Sequence, residues 1–375
     1  MKIFALLTDA YGGRGGIAKF NRDLLAALAA WPPATHVEAY PRLIPEPVEG
    51  VPPGVTFYEE AAGGKDRYVR AVGARILRGG YDAVVCGHVN LLPLAHLAAA
   101  RARVPLITIV HGVEVWEAPE GRLACRVRRA GLARSAAVVA VSDFTRRRLL
   151  AWAGGPGGLE ATRAHVVPNC IDAAPFGPGP PRADLVERYR LRGRRVLLTL
   201  ARLSAAEQYK GIDEILEALP ALTQHVPNVT YLVCGDGNDR PRLEAKARSL
   251  GLAGRVVFTG YVPEDEKADY YRLADAFAMP GRGEGFGIVY LEAMACGIPV
   301  VASVADASRE AVRDGALGFV ADPDDQTGLV TTLRDALAAP KKVPPGLAYF
   351  SPERFTQRWH EVLDRVFLLS PEPVT

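Results

Sequence analysis

Cysteine is scarce and scattered in this 375-residue chain. Its five copies, Cys86, Cys125, Cys170, Cys234 and Cys296, form no CxxC pair and are odd in number. That spacing argues against a zinc framework or a disulfide scaffold and fits a reducing compartment. Long apolar runs are missing too: none approaches the roughly 18 residues a membrane-spanning helix needs. The opening run Met1–Leu7 is apolar apart from Lys2 but meets Thr8 and Asp9 at once. It therefore reads as a first strand, being too short for the apolar segment of a signal peptide. HExxH, GxSxG and EF-hand patterns are absent, which removes the zinc-protease, serine-hydrolase and calcium-loop readings. No DxD-like pair follows an early strand, although Asp322-Pro323-Asp324 stands in a late loop. Nothing in the sequence requires a bound metal or another cofactor.

What is present is ordinary for a globular protein: 49% hydrophobic and 23% charged residues. The length suits two domains. The net charge of +3 hides an asymmetry. Through Asp172, 21 lysines and arginines face 15 acids, whereas the remainder carries 24 against 27. Arg122, Arg126, Arg128, Arg129, Arg134, Arg146, Arg147 and Arg148 crowd one stretch in which Asp143 is the only acid. Such a cluster serves an anionic membrane surface or acceptor, or simply lines two solvated helix faces. A nucleic acid is not expected, because no aromatic stacking platform accompanies the arginines.

Short apolar runs alternate with amphipathic ones. Ile3–Leu7, Ala83–Cys86, Leu106–Val110 and Ala137–Val141 read as buried strands, with helices over Ile17–Ala30 and Tyr68–Leu77. The Pro/Gly-dense stretch Ala173–Pro181 reads as a linker. The alternation restarts with strands at Val196–Leu200, Thr230–Cys234, Val256–Thr259, Ala276–Met279 and Pro299–Ala302. Helices are expected over Ile212–Leu219, Arg240–Leu250, Lys267–Leu273 and Gly287–Ala295. This is the signature of two α/β domains with parallel sheets, spanning 1–172 and 173–351. A last helix, in 352–375, is expected to pack back on the first domain. Ligands of such sheets bind at the carboxyl ends of the strands.

The candidate residues fall at those ends. Tyr11-Gly12-Gly13-Arg14-Gly15-Gly16-Ile17 runs from the first strand into a helix, without the GK[ST] of a P-loop. Backbone N–H groups there suit phosphate or a sugar hydroxyl, and a plain tight turn explains the glycines as well. His88 and Asn90 follow the strand Ala83–Cys86, and His111 follows the strand Leu106–Val110. A histidine so placed donates to a hydroxyl, moves a proton, or orients backbone. Arg202 and Lys210 follow the strand Val196–Leu200; two cations at one level suit a diphosphate, and surface salt bridging is the plainer alternative. Cys234-Gly235-Asp236-Gly237 and Gly260-Tyr261-Val262-Pro263 are sharp turns after strands; each suits the border of a nucleotide, and a purely structural turn explains each as well. Glu284-Gly285-Phe286-Gly287-Ile288 leads into the apolar run that carries Glu292, eight positions on from Glu284. In continuous helix two such carboxylates would lie about 12 Å apart along the axis and about 80° apart around it, a poor acid/base couple.

Gly12–Gly16, His111, Arg202, Lys210, Gly235–Gly237 and above all GEGFGIVYLEAMACGIPVVAS (283–303) together resemble a family 4 (GT4) retaining glycosyltransferase with the GT-B fold. Val167-Pro168-Asn169-Cys170-Ile171-Asp172, with Cys170 where Gly is usual, and Val141-Ser142-Asp143-Phe144-Thr145 are similar to the family as well. The resemblance implies two Rossmann-like domains with parallel sheets facing a central cleft, the first for an acceptor and the second for a nucleotide-sugar. It further implies that Arg202 and Lys210 bind the donor diphosphate and that Glu292 binds the ribose. Glu284 with the backbone of Gly285, Phe286, Gly287 and Ile288 would hold the sugar and distal phosphate. His111 would contact the sugar near the reacting centre, and Gly15 and Gly16 would close over the phosphates. Gly235, Asp236 and Val262 would border the nucleotide, with His88 and Asn90 on the acceptor side. The segment Asp306-Ala307-Ser308-Arg309-Glu310 departs from the Gly-Gly that often precedes a Glu there.

The implied activity is metal-independent hexosyl transfer with retention. GDP-mannose or UDP-glucose is the expected donor, because Gln208–Asp213 looks like mannosyl- and glucosyltransferases of polysaccharide assembly. With the stretch Arg122–Arg148, a lipid-linked or polysaccharide-precursor acceptor is expected. The corresponding location is cytoplasmic, peripheral on the inner face of the plasma membrane. A soluble small-molecule acceptor and a non-catalytic nucleotide-sugar-binding protein are the alternatives.

Overall fold

A computed structural model describes residues 1–368. The chain divides into two compact units, one of Met1–Cys170 together with the segment from Pro352 onward, the other of Ile171–Ser351.

The first unit is built on seven strands, β1 (Lys2–Leu7), β2 (His36–Pro41), β3 (Val55–Phe57), β4 (Ala83–Cys86), β5 (Leu106–Val110), β6 (Ala137–Ala140) and β7 (Ala164–Val166). They lie in the order β3-β2-β1-β4-β5-β6-β7, every pair parallel. Strands covered on both faces must be apolar throughout, and Ile3 to Leu7 are wholly buried. The strands expected from apolar runs all form. β2, β3 and β7 were not expected, and β2 shows why. Glu38 interrupts its apolar pattern, and its carboxylate is paired with the buried Arg75. Strand order reverses between β1 and β4, the crevice where doubly wound sheets place ligands.

The helix Gly16–Ala29 buries Phe20, Leu24, Leu25 and Leu28. The helix Pro352–Leu368 lies against it: the Trp31 indole N–H donates to Asp364 at 2.9 Å, and the Phe20 and Phe355 rings meet edge-on at 5.7 Å. The expectation for residues 369–375 falls outside the described residues.

The second unit has six strands, β8 (Arg195–Leu200), β9 (Val229–Cys234), β10 (Val256–Gly260), β11 (Ala276–Ala278), β12 (Val300–Ser303) and β13 (Phe319–Ala321). Their order is β10-β9-β8-β11-β12-β13, again all parallel. Ile215, Leu216 and Leu219 of the helix Ile212–His225 pack with Tyr231, Val233, Leu329 and Leu333 in one core. β13 and the helix Gln326–Ala338 were not foreseen from the sequence. The Ala173–Pro181 stretch has no helix or strand, as a linker requires, but Arg272 donates to the Gly177 carbonyl at 2.9 Å and ties it to this unit.

Candidate functional site

In the second unit the loops after β8, β9, β10 and β11 carry the candidates. β11 ends at Ala278, and the chain passes through Gly283–Gly287 into the helix Ile288–Ala295. Glu284 therefore lies in the loop and Glu292 in the second turn of the helix. Gly287 caps the helix in the left-handed conformation (φ 88°), with no side-chain cap on its first N–H groups. Those N–H groups and the positive end of the helix dipole suit an anion. A Cβ on Gly283 would stand 2.3 Å from the Tyr209 ring, so only glycine allows this loop to lie against the Tyr209–Lys210 turn.

That turn closes the charge pattern. Lys210 Nζ is 3.4 Å from Glu284 Oε2 and 3.7 Å from Glu207 Oε2, and Glu207 also pairs with Arg202. Burial opposes the charge on Lys210, but Glu284, Glu207 and Tyr209 outweigh it and hold the ammonium's pKa above the usual lysine value. Arg202, with a side chain 72% exposed, presents its guanidinium outward. Arg202, Glu207, Lys210 and Glu284 thus form one alternating chain of charges.

Glu292 is buried. Its Oε2 accepts the Tyr271 hydroxyl at 2.7 Å, and its Oε1 lies 3.4 Å from Lys267 Nζ, which also pairs with Glu264 at 2.8 Å. Burial works against the Lys267 charge, but Glu292 and Glu264 together raise its pKa. Burial with Glu292 close by raises Tyr271 well above the ordinary tyrosine value, so it stays a neutral donor.

Gly235 and Gly237 are required by close packing. Cβ atoms there would stand 1.8 Å from the Ala201 carbonyl oxygen and 2.1 Å from that of Leu203. The Ala201 and Leu203 N–H groups donate to Cys234 and Asp236, so this loop lies against the one that carries Arg202. Asp236 is exposed, whereas Val262, Phe286 and Ile288 bury their side chains and offer a ligand only backbone. Phe286 packs edge-on to Phe350 at 5.5 Å.

In the first unit, His111 Nε2 is 2.8 Å from the Gly87 carbonyl, and its ring stacks on His88 at 5.9 Å. The His111 N–H donates to Glu114 at 2.5 Å. His88 Nδ1 accepts the Asn90 N–H at 3.1 Å, and burial pushes its pKa down to about 4, so it is a neutral ring committed to its own turn. Asn90 is the exposed member of that pair. Gly15 caps the helix Gly16–Ala29 at φ 87°, with open space around its Cα.

Four residues were missed by sequence reasoning: Glu207, Lys267, Tyr271 and Asp306. Lys267 and Tyr271 share one face of a helix at i,i+4 spacing, but nothing in the sequence names Glu292 as their common partner.

The arginine stretch resolves unevenly. Arg128 and Arg129 donate to the carbonyls of Glu114, Ala153, Gly154 and Pro156. Arg146 and Arg147 pair with Asp143, and Arg148 lies over Trp116 and Phe144 at 5.5 Å. Arg122, Arg126 and Arg134 are exposed, beside Leu123 and Val127 at 76% and 60% exposure. Among the described residues no helix is long and apolar enough to cross a membrane, and no group of three or more His, Cys, Asp or Glu is placed to hold a metal ion.

Residues 14–174 match Glycosyltransferase Family 4, and residues 186–344 match Glycosyl transferases group 1. The two parallel-sheet units are those of the GT-B fold. Anabaena HepE in complex with UDP and glucose superposes with a TM-score of 0.73, covering 97% of this chain and 99% of that one at 22% identity. Sucrose-phosphate synthase from Thermosynechococcus elongatus gives 0.76 over 98% and 100% at 21% identity.

The chain belongs to glycosyltransferase family 4. It is 40% identical over 261 residues to a GDP-mannose-dependent alpha-(1-6)-phosphatidylinositol monomannoside mannosyltransferase of Mycolicibacterium smegmatis, a match spanning 67% of this chain and 64% of that protein. It is 31% identical over 324 residues to the D-inositol 3-phosphate glycosyltransferase of Geodermatophilus obscurus, covering 78% and 70%. The chain thus spans less than two thirds of the length of the mannosyltransferase it matches.

Proposed function

We propose that this protein is a retaining, metal-independent glycosyltransferase that moves a hexose from a nucleotide-sugar to a lipid-linked acceptor. The observation that carries the reading is the Lys210–Glu284 pair beside the uncapped start of the helix Ile288–Ala295. The relative named for GDP-mannose favours that donor.

The leaving group is a nucleoside diphosphate whose negative charge grows in the transition state. Lys210, Arg202 and the first N–H groups of the helix stabilise that charge, the role a metal ion plays elsewhere. Glu284 and the backbone of Gly285–Ile288 hold the sugar hydroxyls and the distal phosphate. Glu292 accepts from the ribose hydroxyl pair, a better partner for a carboxylate than phosphate. For that, Oε1 exchanges its 3.4 Å contact with Lys267 for a hydroxyl. Gly235, Asp236 and Val262 border the nucleotide. His111 is assigned to the sugar, Gly15 and Gly16 to phosphate, and Asn90 and His88 to the acceptor. Retention follows a front-face course: the acceptor oxygen bonds to the anomeric carbon as the bond to phosphate breaks, and the leaving phosphate oxygen takes the acceptor's proton. Glu284, held against Lys210, is not a nucleophile.

A screen of UDP-, GDP- and ADP-sugars with phosphatidylinositol monomannoside in vesicles tests this. Turnover of a GDP-sugar is expected; no turnover of any donor, with or without acceptor, supports a non-catalytic nucleotide-sugar-binding protein. A soluble acceptor is the second reading, favoured by the relative named for D-inositol 3-phosphate. The exposed Arg122, Leu123, Arg126 and Val127 of the helix Arg122–Ala133 favour the membrane, since cations and apolar side chains on one face suit an anionic lipid surface. Flotation with anionic vesicles that fails at physiological salt would favour the soluble acceptor.

A further inference from the structure

β12 ends at Ser303, and the turn after it brings Asp306 and Ser308, both fully buried, against the loop that carries Glu284. Asp306 Oδ2 accepts the Glu284 N–H at 2.9 Å. Its Oδ1 accepts the Ser308 N–H at 2.9 Å and the Ser308 hydroxyl at 2.6 Å. The Glu284 carbonyl in turn accepts the Ala307 N–H at 3.1 Å, and Ser308 Oγ accepts the Ser303 N–H at 2.9 Å. Both peptide groups of Glu284 are therefore tied to one turn. A buried carboxylate is costly unless its oxygens are satisfied, and every contact here is a donor, the set an anionic acceptor needs. A Gly-Gly sequence at this place brings no side-chain acceptor, so the departure noted in the sequence installs a specific device.

We propose that Asp306 is a positioning residue that fixes the backbone of Glu284, and with it the Glu284–Gly287 loop, through a charge-assisted hydrogen bond. The proposal rests on the reading of Glu284 as a donor contact. Burial pushes the Asp306 carboxyl up to about 7, with Glu284 adding to the rise and the Ser308 and backbone donors opposing it. The other titratable groups around it are Glu284 on the loop, Tyr290 on the helix Ile288–Ala295, and Lys210 with Glu207 beyond Glu284. Burial, with Asp306 nearby, keeps Tyr290 neutral, and Lys210 stays cationic. As pH falls through about 7, Asp306 gains a proton, and its hold on the Glu284 N–H drops to that of a neutral hydrogen bond, roughly half as strong.

Amide hydrogen exchange of Glu284 in the full chain tests this without requiring turnover. Protection, corrected for the intrinsic pH dependence of exchange, is expected to weaken as pH falls through 7 in the wild type. Asp306→Asn and Asp306→Ala are each expected to lose about tenfold at alkaline pH and to show no such pH dependence. Ser308→Ala, which spares the Oδ2 contact, keeps most of the protection and controls for general loosening. The second readout is kcat/KM for the nucleotide-sugar, expected to fall about tenfold in Asp306→Asn with loss of the limb near pH 7. Wild-type protection in both Asp306 variants overturns the proposal. Lost protection with an unchanged donor kcat/KM leaves the clasp but overturns its positioning role. If exchange behaves as expected and the wild type turns over no nucleotide-sugar, the donor reading fails instead.

Discussion

Lys210 Nζ stands 3.4 Å from Glu284 Oε2, joining a cation from the turn after β8 to a carboxylate from the loop after β11. The pair brings a positive and a negative group to the start of one helix, where the function proposed above would set the cation toward phosphate and the carboxylate toward hydroxyls. Lys210→Ala is expected to lower kcat by about 100-fold or more, the cost of removing one oriented charge from a developing anion. Glu284 and Glu207 outweigh the burial of Lys210 and raise its pKa above 10.5. Its contribution to stability is then complete below the unfolded lysine value and is lost only as pH rises through the raised one. A pH–rate profile should show no alkaline loss from Lys210 up to pH ~10, within the usual range for lysine.

Glu292 and Lys267 form an ion pair with side chains 3% and 14% exposed. Lys267→Met leaves the carboxylate buried with only the Tyr271 hydroxyl, and is expected to cost about 3 kcal/mol in urea denaturation. Adding Glu292→Gln should recover part of that loss, since the uncompensated charge is then gone. If the double variant is as unstable as the sum of the two single changes, the pair is not coupled.

Two glycines separate crowding from backbone conformation. Gly235→Ala forces a Cβ to 1.8 Å from a main-chain oxygen at φ 135°, and is expected to destabilise by about 3 kcal/mol or more. Gly15→Ala meets open space and pays only for its backbone, a φ of 87° with ψ −177° that glycine alone adopts readily, about 1–3 kcal/mol. Thermal melts of the two variants should differ accordingly, with Gly15→Ala remaining folded enough to assay.

Asp306 also gives the fold a slope with pH. Its carboxyl is raised from an ordinary value of 3.8 to about 7, so between those values the folded chain holds a proton that the unfolded chain has released. Its contribution to stability therefore falls as pH rises from about 4 to about 7 and is level above that. Asp306→Asn should remove this component of the slope, read by urea denaturation across that range.

The buried strands Ile3–Leu7, Ala83–Cys86 and Leu106–Val110 were legible because a strand covered on both faces must be apolar at every position. The Glu284–Gly287 loop was legible because glycine marks places where backbone must approach something closely. β2, β3, β7 and β13 were not, being short or, in β2, carrying Glu38 at an inward position that only Arg75 makes tolerable.

By itself, then, the sequence determined the alternation of strands and helices, the glycine turns at strand ends, and the apolar helix after Glu284, because each is a local pattern of side chains. The partners of the charges were decided by tertiary structure alone. Lys210 reaches Glu284, and Asp306 takes the Glu284 N–H, because the sheet order β8-β11-β12 sets their loops side by side, and Lys267 reaches Glu292 because their two helices pack together. A buried charge is tolerated only beside its complement, and which complement is near depends on strand order, which no local pattern of residues records.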